Sequence, residues 1–253
     1  MHKTVVIDSF PESLARYQKG YAIVAIDIVR ATTTAITAVA SGWRCFPVPT
    51  LEAALEVAGG LDNPLLVGEQ RGVMPAGFHL NNSPSELLAR TDVQRPVVLL
   101  SSSGTRLCHE ASKCTLALVA CLRNYRFTAD YLASHTDNVA IVGAGSRGEF
   151  REEDQLCCAW IAGLLLNAGF LPADRRTVEI VNEWSKKPVE AWLENKSAVY
   201  LRRTGQLADL NFILEHVNDL EALFMLNNGE VIMNSEAPGV RLHEDGAKGM
   251  YDA

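Results

Sequence analysis

The chain has 253 residues, 48% of them hydrophobic and 21% charged, with a formal net charge of −7. That size allows one large α/β domain or two small ones and a core that needs no disulfide or metal staple. The acidic balance excludes sequence-independent nucleic-acid binding, which needs an excess of Lys and Arg, and no apolar stretch approaches the ~20 residues of a membrane span.

In chain order, short Val- and Ile-rich runs alternate with segments of helical period. The start, MHKTVVIDSF, reads straight into a strand without a signal-peptide pattern. Strands are expected at Thr4–Ile7, Ala22–Ile28, Cys45–Val48, Pro64–Val67, Pro96–Leu100, Leu116–Val119 and Val139–Val142. Helices are expected at Thr32–Ala40, Leu51–Ala58, Ser83–Ala89, Thr105–Ala111, Arg126–Ser134 and Glu152–Asn167. Continuous apolar runs indicate strands covered on both faces, and the alternation predicts a three-layer α/β/α fold with a largely parallel sheet. The last third is helix-rich (Ala173–Trp184, Val189–Leu201, Leu207–His216), with weak strands near Leu223–Leu226 and Glu230–Met233. The tail from Ala237 reads as mobile. No linker breaks the chain, so residues 1–253 are expected to form a single domain, with 169 as the place where two sub-domains would divide.

Three strand–helix junctions look alike. The first is Asp27-Ile28-Val29-Arg30-Ala31-Thr32-Thr33-Thr34. The second is Ser101-Ser102-Ser103-Gly104-Thr105-Arg106, and the third Gly143-Ala144-Gly145-Ser146-Arg147-Gly148. Each ends a buried strand in small or hydroxylated residues, carries an Arg and opens a helix. A helix N-terminus offers free N–H groups and the positive dipole end, and Arg adds planar bidentate recognition of oxyanions. One such loop is an ordinary N-cap. Three of them predict an anion-binding crevice at the carboxyl ends of the strands. Neither a Walker loop nor GxGxxG is present, which disfavours a nucleotide-binding module.

Acids accompany these loops. Asp27 ends an apolar run, Glu69 follows the strand at Pro64–Val67, and Glu152, Glu153 and Asp154 open a long helix. Such oxygen donors suit Mg²⁺, although acids in a first helical turn also simply match the dipole. Asp27 costs stability in apolar surroundings unless it is paired or functional. Six cysteines without a CxxC pair read as reduced, mostly buried thiols of a cytoplasmic protein. His79 reads first as a hydrogen-bonded surface residue, His109 and His216 as structural, and Cys157-Cys158, Trp184 and Trp192 as core.

The segment from Asp27 to Thr34 resembles the "DVLRATTT" signature of the 2-phosphosulfolactate phosphatase family. Gly68-Glu69, Gly77-Phe78 and Asn82-Ser83-Pro84 are similar to its "GE…GF…NSP" segment. Ser103-Gly104-Thr105-Arg106 is similar to "NGTR", and Ala144-Gly145 through Gly148, Phe150 and Glu153-Asp154 to "AG…G.F..ED". The resemblance covers roughly residues 20–165. It implies a Mg²⁺-dependent phosphatase that releases phosphate from 2-phospho-3-sulfolactate, a step toward coenzyme M. It also implies catalytic roles for Asp27, Glu69 and Arg30, and metal binding by Asp27, Glu153 and Asp154. Thr32, Thr33, Asn82, Ser83, Ser103, Gly104, Thr105, Arg106, Gly145 and Arg147 become substrate-binding candidates. Whether Asp27 acts as metal ligand, base or nucleophile stays open.

Four positions depart from the family pattern: His79 stands for an acid, Asn81 for Gly, Ser103 for Asn, and Gln70 for a basic residue, with Arg71 one place later. Another small phospho-hydroxy acid as substrate, or an anion-binding regulatory paralogue without turnover, are the competing expectations. A small anionic phosphoester is the expected partner, and a homodimer fits the size.

Overall fold

The computed structural model describes residues 2–146 and 148–234, so Arg147 and the tail from Ala237 lie outside the described residues. All seven expected early strands form: β1 (Thr4–Ser9), β2 (Ala22–Ile26), β3 (Cys45–Val48), β4 (Leu65–Gly68), β5 (Val97–Leu100), β6 (Leu116–Ala120) and β7 (Asn138–Gly143). Between them lie α1 (Ala31–Ala40), α2 (Leu51–Gly59), α3 (Pro84–Leu88), α4 (Gly104–Ala111) and α5 (Tyr125–His135), with α6 (Glu152–Asn167) after β7. The chain continues through β8 (Leu171–Pro172), α7 (Arg175–Trp184), α8 (Lys196–Arg203), α9 (Leu207–Glu215) and the hairpin β9 (Leu223–Asn227) and β10 (Glu230–Asn234).

The ten strands form one sheet in the order β4-β5-β3-β10-β9-β6-β2-β7-β1-β8. Two parallel groups result, β4-β5-β3 and β6-β2-β7-β1-β8, and both account for the unbroken apolar runs: every residue of β2 and β5 is buried. Helices α5, α6 and α7 pack together on one layer, against β1, β2, β6 and β7. The other helical layer includes α1 and α4, against β2, β3, β5, β6 and β10.

The centre of the sheet departs from the expected parallel order. The β9–β10 hairpin sits there, antiparallel to β6 on one side and to β3 on the other. Its two-residue turn, Asn228-Gly229, has positive φ at both positions (49° and 80°), the geometry that Asn-Gly supplies at little cost. Phe224 and Val231 are fully covered, which explains why this late hairpin is drawn into the core and not left at an edge.

Since β9 opposes β6, β10 opposes β9 and β3 opposes β10, the two parallel groups run in opposite local senses. Adjacent strands twist by about 20–25°, so the five steps from β2 to β5 accumulate roughly 100–125°. Residues at the carboxyl ends of both β2 and β5, Asp27 and Ser101–Ser103, line one crevice. The outcome is visible where α4 begins against the end of β2, at Gly104 and Asp27.

Two local differences have simple causes. The helix expected over Val189–Leu201 is a 3₁₀ turn (Val189–Trp192) followed by α8, because the Asn195 side chain accepts the Ala198 N–H at 2.9 Å and starts a new helix. A 3₁₀ turn also occupies Pro11–Arg16, where no element was expected; Pro11 at its first position favours it.

Candidate active site

Strand β2 delivers Asp27 to the floor of a cleft of about 920 Å³. Its carboxylate accepts the Ala31 N–H at 3.2 Å, at the opening of α1. The Thr32 hydroxyl returns to the Asp27 backbone and accepts its N–H at 2.9 Å, which fixes the turn. Across the floor, α6 contributes Glu153 and Asp154, both nearly inaccessible. Asp154 accepts the Ile28 N–H at 2.8 Å, and Glu153 accepts the Asn195 amide at 2.6 Å. The first turn of α6 therefore does more than match a helix dipole: two of its acids point inward.

Three acids crowded away from water resist ionising together. Burial pushes the Asp27 carboxyl up to about 7; the Glu153 and Glu69 charges add, while the Ala31 amide and Arg30 oppose. Glu153 is raised by burial, against bonds from Ser197 and Asn195. Asp154 is raised well above the usual carboxylate range, by burial first and then by Asp27 and Glu153. A cation would relieve this repulsion, and the donors are all hard oxygens. Among the described residues no three Asp, Glu, His or Cys side chains converge closely enough to enclose a metal alone.

The second wall is the Ser101–Ser103 loop. Glu69 ties it down, accepting the Ser102 N–H at 2.7 Å and the Ser102 hydroxyl at 2.9 Å, and also the Gly72 N–H at 2.5 Å. Here Glu69 lines the cleft as a clamp between two loops. Gly104 permits the close approach of α4 to β2: a Cβ there would lie 2.5 Å from the Ala31 Cβ and would overlap the Asp27 carboxylate.

The remaining sequence candidates divide. Arg30, Asn82, Ser103 and Gly145 line the cleft. Thr33 and Thr105 are buried and spend their hydroxyls on Ile28 and Ser101, so they hold the loops without reaching the cavity. Ser83 caps α3 and donates to Asp209 at 2.7 Å. Arg106 is placed outside the cleft, half-exposed and paired with Glu12 at 2.8 Å. Arg147 lies outside the described residues. His79 also faces away; its ring accepts the Leu66 N–H at 3.0 Å and meets Arg95, so this departure from the family pattern leaves the cleft untouched.

Residues that the sequence reading missed come chiefly from α8. Lys196, Ser197 and Tyr200 line the cleft beside Arg71 and Arg151. Tyr200 donates to the Gly72 carbonyl at 2.7 Å, and Lys196 pairs with Glu149. The spacing of 196, 197 and 200 on one helical face was the available signal.

Carboxylates and arginines at the ends of the sheet's strands define an α/β protein with a cleft suited to a small anion. The family model for 2-phosphosulpholactate phosphatase matches residues 8–229. Proteins named as probable 2-phosphosulfolactate phosphatases are similar over most of their length. That of Pseudothermotoga lettingae is 33% identical over 75% of this chain and 82% of its own. That of Symbiobacterium thermophilum is 34% identical over 81% and 83%, and that of Clostridium perfringens (strain SM101) 30% over 84% and 89%. The chain belongs to the 2-phosphosulfolactate phosphatase family, and thus to the phosphoric monoester hydrolases. Among the described residues no helix is long and apolar enough to cross a membrane.

Proposed function

We propose that this cleft hydrolyses 2-phospho-3-sulfolactate, or a small phospho-hydroxy acid much like it, to the hydroxy acid and phosphate with Mg²⁺ as cofactor. The observation that carries the reading is the buried group Asp27, Glu153 and Asp154 beneath arginines of the same cleft. Held by one or two of those carboxylates with water completing its shell, Mg²⁺ would neutralise phosphoryl charge.

The chain's own residues supply the rest. Arg30 offers guanidinium N–H donors to the phosphoryl oxygens from a fixed, buried position. Arg71 and Arg151 line the cleft without an ion-pair partner among the described residues, and are suited to the carboxylate and sulfonate of such a substrate. Asp27, at the end of β2 and facing the cleft, is the carboxylate that would either hold the metal or, with Glu153 and Asp154 holding it, take a proton from attacking water. The six free cysteines, five of them buried, support a cytoplasmic setting.

Phosphate release from racemic 2-phospho-3-sulfolactate is expected to need Mg²⁺, to stop on chelation and to return on adding the ion back. Release that persists unchanged in EDTA would remove the metal from the proposal. Tight phosphate binding with no turnover on any small phosphoester would favour the anion-binding paralogue instead. Arg106→Ala is expected to leave kcat/KM within about threefold of native, since its pair with Glu12 is an exposed one. A loss above tenfold would place Arg106 at the substrate.

A further inference from the structure

Arg30 and Asp209 form a buried ion pair, both side chains within a few per cent of complete burial. Asp209 comes from the first turn of α9, far along the chain from every motif of the cleft. It is also the meeting point of two cleft walls. One carboxylate oxygen receives Nη1 of Arg30. The other accepts the Ser83 hydroxyl at 2.7 Å, the Ser85 hydroxyl at 2.6 Å and the Ser85 N–H at 3.1 Å.

The remaining guanidinium nitrogens of Arg30 have no protein partner among the described residues, although Arg30 is 95% buried and lines the cleft. Beside Ser83, the Asn82 side-chain oxygen is buried in the same cleft and is also without a partner. The sealed, unmatched Asn82 oxygen is costly unless something arrives to meet it, while the free Arg30 nitrogens keep access to the open cleft. Asp209 thus holds, through one carboxylate, two groups that wait for a ligand.

We infer that Asp209 is a positioning residue for phosphoryl recognition. It grips Arg30 at one end, so that Nε and Nη2 are presented to the phosphoryl oxygens, and it anchors the segment that carries Asn82. A guanidinium fixed in advance loses less freedom on binding than a mobile one. The inference rests on the phosphoester reading of the cleft given above.

The test is a cycle of four proteins: native, Asp209→Asn, Arg30→Gln and the double variant. Inorganic phosphate affinity is read by calorimetry, kcat and KM by phosphate release, and thermal stability by scanning calorimetry. Ordering of the Arg30 guanidinium in the free protein is read from its ¹⁵N side-chain resonances. Asp209→Asn is expected to weaken phosphate binding by about 10- to 100-fold, the range of one charge-assisted hydrogen bond. It should also release the guanidinium, and cost much less once Arg30 is Gln, when only its hold on the Asn82 segment is left to lose. Equal losses from Asp209→Asn in the native and Arg30→Gln backgrounds would overturn the inference, as would a fall in stability with phosphate affinity intact. If native protein binds no phosphate while Asp209 still orders the guanidinium, the phosphoester reading itself fails and Asp209 is only a structural partner.

Discussion

Asp27→Asn is expected to abolish phosphate release, by a factor of about 10³ or more, while making the metal-free protein more stable above neutral pH. The two effects share one cause. Asp27 is buried beside Glu153, with Asp154 adjoining, and its carboxyl is held up to about 7 against an ordinary value of 3.8. The native state therefore binds a proton that the unfolded chain has already released between those pH values. Stability must fall as pH rises from about 4 to about 7, and the fall is complete above the folded value. Asparagine keeps the shape and removes the charge. In EDTA at pH 8 the variant should exceed native stability by roughly 2–4 kcal/mol, or about 5–10 °C in Tm, with little difference at pH 4. Saturating Mg²⁺ should narrow the gap by stabilising the native carboxylates. A variant no more stable than native at pH 8 would show that Asp27 is not held against its own charge.

Gly104→Ala should damage both fold and activity. The added methyl would press on the Ala31 Cβ and on the Asp27 carboxylate, and both neighbours are pinned: Ala31 lies in the first turn of α1, and Asp27 accepts its N–H. The end of α4 must move or the carboxylate must turn. Overpacking of this kind costs about 1–3 kcal/mol, and a displacement of about 1 Å at a reacting group costs on the order of 10²-fold in rate. Activity within twofold of native, with unchanged Tm, would mean that the approach of α4 to β2 is looser than the structure indicates.

Much of this arrangement was legible in the sequence, and for definite reasons. The Val- and Ile-rich runs mark doubly covered strands, and Asp27, Gly104 and Gly145 mark places where a strand end needs an acid or close backbone. Arg106 was misleading for a geometric reason. Gly104 faces Asp27, and two residues along a helix turn the side chain by about 200°, away from the cleft. Arg30, in the loop before α1, points inward. The hydroxyls of Thr32, Thr33 and Thr105 satisfy backbone groups of their own loops, a use as compatible with a Ser/Thr-rich segment as anion binding is.

The contributions of Asn195, Lys196, Tyr200 and Asp209 were invisible for another reason. They sit on polar helices or at their caps with no strand-to-loop signature, and their place depends on packing between segments 42 to 179 residues apart. The central position of the β9–β10 hairpin was hidden likewise: its apolar residues announce a strand without saying which edge it will join.

That hairpin has a consequence for biosynthesis. Until Leu223–Asn234 has emerged from the ribosome, strands β3 and β6 each present an open, apolar edge, and only helices such as α1 and α4 join the two halves of the sheet. A nascent chain of some 220 residues would hold every sequence motif of the cleft but lack the strands that complete the sheet between them. Its two bare edges would be free to pair with other chains meanwhile. Closure of the sheet by one late hairpin therefore places the period of greatest aggregation risk just before residues 223–234 become available to pair.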